Sequence, residues 1–408
     1  MFRETSGILA LLAVIVVLLM AWMVNTRRVS FCATAGGAQN SSSIPSTPLK
    51  ADDSSLVASP CVNALIHHAV CDAANKRALE IMNASHLEAI TVVQDVSTGA
   101  LIAFAASQPS KLDVTTPVLP LSLSKLLLSA SWWDNRQPDS KFDSTRGRAN
   151  AQNPAYRSRV SAHEMLVGGS DSAGRQMALA LRKAVGTKTV LKDFERYGFG
   201  QRTDVKQNDR FWGELSPTWE TRLIPAPAYV SLSNETKDTE WADTLSIGEI
   251  NMSVTALHVS RFLQAVGNNG VTLTPVAREE PSPSPATKSP AVHQQFKNSM
   301  RIMQESTALR LQSAMRDTVQ RGTAKSIATA LGGSGWQIGG KTGSGPGLMP
   351  LSPQSDGWFA GLIFTPQGKA RFTVATFVRK GGPGGGNAAK ISAELARYII
   401  GENTGVSR

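Results

Sequence analysis

Ser122 and Lys125 stand three residues apart in "SLSKLLLSASWWD", residues 122–134. On a helix, positions i and i+3 share a face, so the hydroxyl and the ε-amine can meet. A serine hydroxyl is a poor nucleophile at neutral pH and needs a base within hydrogen-bond reach. Lysine serves as that base only when burial or a neighbouring cation lowers its pKa. The leucines that follow supply burial, while Ser124 points elsewhere. Ser-x-x-Lys arises by chance in a chain this rich in both residues, yet Ser122 is the only serine with lysine three positions on.

Two further stretches place polar side chains where chemistry is feasible. In "GGSDSAGRQMALALRKAVG", 168–186, a Gly-Gly turn presents Ser170, Asp171 and Ser172 just before a helix. They could be aimed into a cleft, but Ser and Asp cap helices routinely, and an ordinary N-cap is the plainer reading. In "GGKTGSG", 339–345, small residues beside a strand-like run would let a ligand approach. Lys341, Thr342 and Ser344 offer donors for a carboxylate, and a Gly-rich turn or edge bulge is the competing reading.

The elements that must position these groups are legible in outline. "EAITVVQDVSTGALIAFAA", 88–106, is two apolar runs around Ser97-Thr98-Gly99 and predicts a hairpin. Strand-like runs at 357–364 and 370–378 precede an amphipathic helix at 388–400. Between these ends lie helical patterns and loops, including 150–270 and a helical run at 306–330, with "PSPSPATKSP" (281–290) as a surface loop or insertion. The pattern predicts an α/β (α+β) fold: one antiparallel sheet flanked by helices, its first and last strands neighbours, plus an all-helical subdomain.

Composition narrows the setting. The chain has 408 residues, 41% apolar and 18% charged, with a formal charge of +11. Its basic residues are scattered, and no basic helix or aromatic-interleaved strip is present, which argues against nucleic-acid binding. Attraction to an anionic membrane or cell-wall polymer fits better. Gly7 to Val24 are uncharged and mainly apolar, 18 residues that can just span a bilayer with Trp22 near one interface. We expect a membrane anchor over 1–28, a Ser/Pro-rich linker over 29–60 and a folded domain over 61–408. "ATA" at 33–35 resembles a cleavage site but lies well past the apolar stretch, and Arg3 against Arg27 and Arg28 leaves orientation open. Cys61 and Cys71 could pair only if the helix around them starts after Cys61, because one continuous helix would hold them about 15 Å apart. His67 and His68 match no zinc spacing and read as helix surface residues.

Ser-x-x-Lys, then Ser-Asp-x, then Lys-Thr-Gly, in that chain order, is the motif set of penicillin-binding proteins and serine β-lactamases. The chain resembles the penicillin-binding protein transpeptidase domain, a serine D,D-peptidase, over about residues 88–400. "LSIGEINMSVTALHVSRFLQAVGNNGVTLTP" (245–275), "LQSAMRDTVQRGTAKSIA" (311–328) and "GWFAGLIF" extend the likeness beyond the motifs. The resemblance implies Ser122 as acylated nucleophile, Lys125 as general base and Ser170 as proton relay between Lys125 and Lys341. Thr342, Gly343 and Ser344 with Lys341 would bind the substrate carboxylate, and the backbone N–H groups of Ser122 and Ser344 would form the oxyanion hole. It also implies peptidoglycan stem peptides and β-lactam antibiotics as ligands, no cofactor or metal, and a domain outside the cytoplasmic membrane.

There are two departures from the pattern. Ser172 stands at the family's asparagine and reaches a substrate peptide group less well. Leu121 stands where a glycine or small residue is frequent. The short stretch before residue 61 leaves no room for a glycosyltransferase domain or a large pedestal, so other cell-wall synthesis proteins are expected partners.

Overall fold

The computed structural model describes residues 66–84, 86–108, 111–112, 116–145, 157–200, 228–273, 299–345 and 355–404. The expected anchor, the linker and Cys61 lie outside them. Among the described residues, no helix is long and apolar enough to cross a membrane.

Helix α1 (Ile66–Ala84) leads into β1 (Glu88–Asp95) and β2 (Leu101–Ala106), the hairpin expected from the sequence. The Asp95 carboxylate accepts from the Ser97 and Thr98 N–H groups at 2.9 Å each, which closes the turn at Gly99. Strands β9 (Gln337–Gly345), β10 (Asp356–Phe364) and β11 (Ala370–Arg379) complete a five-stranded antiparallel sheet in the order β2-β1-β11-β10-β9. β1 pairs with β11 from Glu88↔Arg379 to Asp95↔Phe372, so the first and last strands are neighbours, as expected.

Strand alternation sends each sheet face to a different core. Ile90, Val92, Trp358, Ala360, Ala375 and Phe377 point to one, and Ala89, Val93, Phe359, Ile363, Val374 and Val378 to the other. The second face is covered by α1 and the C-terminal helix α9 (Asn387–Thr404). The first is covered by α7 (Ala256–Gly267) and α8 (Glu305–Arg321), beyond which lies the helical subdomain. Its members are α2 (Ser124–Asp134), α3 (Ala162–Gly168), α4 (Asp171–Val185), α5 (Thr187–Arg196) and α6 (Asp238–Ser246). Two-stranded ribbons β3–β4 (Phe142–Thr145, Arg157–Val160), β5–β6 (Tyr229–Val230, Met252–Ser253) and β7–β8 (Val271–Thr272, Met300–Arg301) edge the helices.

Three elements differ from the sequence expectation or decide between its alternatives. α8 stops at Arg321 rather than near 330. After Gly322 the Thr323 N–H turns to the Val167 carbonyl at 3.3 Å, and a single 3₁₀ turn, Lys325–Ile327, follows. For "GGKTGSG" the competing Gly-rich turn drops out, since the stretch is strand throughout. The Phe359 ring lies across it, and a Cβ on Gly340 would meet that ring at 2.3 Å, so glycine here serves sheet packing. Ser122 itself sits in a 3₁₀ turn, Leu121–Leu123, that feeds α2.

Candidate active site

The 3₁₀ turn and the first turn of α2 bring Ser122 and Lys125 together, since i and i+3 eclipse in that geometry. Lys125 Nζ donates to Ser122 Oγ at 2.9 Å. Leu121 enters the turn at φ +54°, a left-handed conformation costing a non-glycine residue about 1–2 kcal/mol. Its backbone is held there by the Leu121 N–H to Gly248 carbonyl bond at 3.1 Å, and its side chain packs against β9 at Gly343 and Gly345. Trp358, buried in β10, donates from Nε1 to the Leu119 carbonyl at 2.9 Å and ties the approach segment to the sheet.

Lys125 is 0% exposed. Besides Ser122 it donates to the Asp171 carboxylate at 2.7 Å and to the Ser246 carbonyl at the end of α6. Burial pushes its pKa down; Asp171 pulls it back up, and Arg175 lowers it further. Close approach of α4 makes this pocket. A Cβ on Gly174 would lie 2.8 Å from the Ser246 Cβ and 3.4 Å from Lys125 Cε, so a glycine in the helix interior lets three elements meet on the lysine.

Lys341, on β9, is also buried, at 1% exposure. Its Nζ donates to the Thr342 carbonyl at 2.7 Å, its one hydrogen bond among the described residues. Burial and the nearby Lys125 charge push its pKa down to about 7. The Lys125 charge thus acts on Lys341. Thr342 Oγ1 lies 2.6 Å from Thr323 Oγ1, and Ser344 Oγ accepts from the Gly384 N–H at 3.0 Å. β9 is one of the sheet's two outer strands, which leaves backbone groups along its free edge unpaired in the sheet.

Ser170 is placed differently from the expectation. Its Oγ caps α4 by accepting from the Ala173 N–H at 3.3 Å, accepts from Ser144 Oγ at 2.9 Å and lies 3.2 Å from Ser172 Oγ. Among the described residues it bonds neither lysine; the plainer capping reading is what the geometry shows. Asp171, the residue between the two serines, takes the place on Lys125. A cleft of ≈ 910 Å³ opens here, lined in part by Ser144, Gly169, Ser170, Asp171, Ser172 and Thr323. Ser122 does not line it and connects to it through Lys125 and Asp171.

Asp171, Gly174, Thr323 and the Ser246 carbonyl were not singled out from sequence. Asp171 was in view, but nothing in Ser-Asp-Ser says which of three adjacent side chains turns inward. Thr323 lay in the quoted "RGTA", and a carbonyl partner carries no sequence signal.

Comparison with known proteins agrees with the fold. Residues 89–401 match the family described as penicillin binding protein transpeptidase domain. No curated protein matches the chain. Among solved structures, penicillin binding protein 3 from Mycobacterium tuberculosis complexed with aztreonam shares 20% identity at a TM-score of 0.59, covering 83% of this chain and 78% of that one. The D,D-transpeptidase domain of a peptidoglycan glycosyltransferase from Eggerthella lenta gives 19% and 0.57, with 82% of each chain covered. A peptidoglycan glycosyltransferase from Burkholderia ambifaria gives 17% and 0.56, covering 82% and 93%. At these identities the structures establish the shared fold, and the family match spans most of the chain. The chain belongs to the penicillin-binding protein transpeptidase domain family, the group of serine acyl-transfer proteins to which its motifs pointed.

Proposed function

We propose that the chain is a membrane-anchored peptidoglycan D,D-transpeptidase that works through an acyl-enzyme on Ser122. The observation that carries this is the Ser122 Oγ to Lys125 Nζ contact of 2.9 Å, made by a fully buried lysine whose pKa burial lowers. In the forward step the neutral Lys125 amine takes the Ser122 proton as Oγ adds to the penultimate D-Ala carbonyl of a stem peptide. The Lys125 ammonium gives that proton to the departing nitrogen as the C–N bond breaks, the terminal D-Ala leaves as an amine, and a second stem's amine takes the acyl group. Lys341, with Thr342, Gly343 and Ser344, receives the substrate's terminal carboxylate; Ser172 meets its peptide group. The Ser122 and Ser344 N–H groups face the oxyanion, a pair of donors worth several kcal/mol in the transition state. Ser170 supports this by positioning Ser172 and the α4 terminus.

β-Lactams would acylate the same serine. Residues 7–24 would hold the chain in the bacterial cytoplasmic membrane as a single pass, with the domain on the outer, periplasmic side where its substrate lies. A carboxypeptidase or β-lactamase differs only in using water as acceptor. A second reading, a penicillin-binding-like scaffold or sensor with weak turnover, is favoured by Ser172 in asparagine's place and by the Asp171 contact that loads Lys125. Labelling with fluorescent penicillin separates the two. Wild type labelled and Ser122→Ala unlabelled supports the enzyme; a folded wild type that never labels refutes it. A C-terminal reporter active only in the cytoplasm would overturn the placement.

A further inference from the structure

Lys125 Nζ has three acceptors around it: Ser122 Oγ at 2.9 Å, Asp171 Oδ1 at 2.7 Å and the Ser246 carbonyl. An ammonium has three N–H donors and no lone pair, so this arrangement is the one a charged lysine satisfies in full. A charged lysine cannot accept the Ser122 proton. One N–H must first be lost, and of the three acceptors only the Asp171 carboxylate holds a negative charge that a departing proton neutralises.

Asp171 is the first residue of α4, where an acid is commonplace because the helix N-terminus favours negative charge. That ordinary role does not describe what its side chain does. Among the described residues, the carboxylate makes its hydrogen bond to Lys125, 46 positions away, rather than to a helix N–H; Ser170 supplies the cap. Its side chain is 50% exposed while the lysine is fully buried, so the pair has one wet end and one dry end.

We propose that Asp171 is a positioning residue that keeps Lys125 charged at rest, so that acylation at Ser122 begins only once Lys125 loses a proton to solvent against the pull of that carboxylate. This rests on the acyl-transfer reading above. The Nζ–H bond breaks, the proton passes to water, and the amine is left with a lone pair facing Ser122 Oγ. The other charges facing the pair are Arg175 on α4, itself bound to Asp243 at 2.5 Å, Glu249 beyond α6, and Lys341 on β9. Arg175 favours proton loss, and Asp171 with Glu249 opposes it, while Lys125 itself lowers the pKa of Lys341.

The test reads Lys125 in two ways. In the full-length chain carrying ¹³Cε-lysine, the Lys125 resonance, assigned with Lys125→Arg, is titrated in wild type, Asp171→Asn and Asp171→Glu. Fluorescent penicillin labelling rates are then measured across the same pH range. Asp171→Asn should lower the Lys125 midpoint by about one pH unit, the low end of what an opposite charge at this range supplies. The acidic limb of labelling should move down with it, giving roughly tenfold faster labelling below the wild-type limb. Asp171→Glu should keep the wild-type limb. A purely structural Asp171 would change melting temperature and leave both midpoints in place, and an Asp171→Asn midpoint equal to wild type overturns the inference. If wild type is not labelled at any pH, the acyl-transfer reading fails, while the lysine titration still decides whether Asp171 holds the charge.

Discussion

Replacing Lys341 by methionine should make the protein more stable and leave it unable to hold a substrate carboxylate. Lys341 is 1% exposed and has one hydrogen bond among the described residues. Burial and Lys125 push its pKa from 10.5 to about 7. At about 1.36 kcal/mol per pH unit, carrying this group into the fold costs about 4 kcal/mol at pH 7. Relaxation around the removed charge takes back part of that, so we expect Lys341→Met to gain about 2 kcal/mol. For a domain of this size the gain is about 3 °C in Tm. The pH dependence follows from the sign of the shift. The folded pKa lies below the unfolded one, so between pH about 7 and 10.5 the unfolded chain binds the extra proton and wild-type stability climbs. The methionine variant has no such climb. Its advantage is full below pH about 7 and fades as the pH approaches 10.5. Urea unfolding of both proteins at a series of pH values across this window measures the difference directly. A variant less stable than wild type at neutral pH, or an advantage that does not change with pH, refutes the reasoning.

Two further substitutions probe the scaffold. Leu121 is buried and left-handed, so Leu121→Ala should lose about 2–3 kcal/mol of packing while keeping the backbone strain. Leu121→Gly loses the same side chain but relieves about 1 kcal/mol of strain, so it should melt above the alanine variant, a reversal of the usual order that calorimetry can read. Gly174→Ala places a methyl 2.8 Å from the Ser246 Cβ and against the Lys125 stem. It should cost about 1–3 kcal/mol despite alanine's better helix propensity, and slow penicillin labelling; full stability and labelling would refute the close-approach argument.

The sheet and the Ser122–Lys125 pair were legible because each rests on a short-range regularity. The hairpin carries alternating apolar residues about a Ser-Thr-Gly turn, and i, i+3 spacing joins hydroxyl to amine whether the turn is α or 3₁₀. Ser170 was harder. Cap and relay both require a hydroxyl before a helix, and only the position of Ser144 and the α4 N–H groups decides which bond forms. Asp171 was hidden for a related reason, since its direction depends on where α4 crosses α2, a tertiary fact. The glycines of β9 left a turn open as the competing reading because glycine weakens a strand, and the aromatic ring packed on Gly340 comes from Phe359 on another strand.

The pairing of β1 with β11 has a consequence for how the domain forms. Thr91 meets Thr376, 285 positions away, and Glu88 meets Arg379 across 291. The centre of the sheet thus waits for the last of the described strands to be made. A chain emerging from its N-terminus has a hairpin with one open edge and no partner for it until synthesis is nearly done. Such long loop closures make folding slow and leave the early hairpin exposed to misassociation.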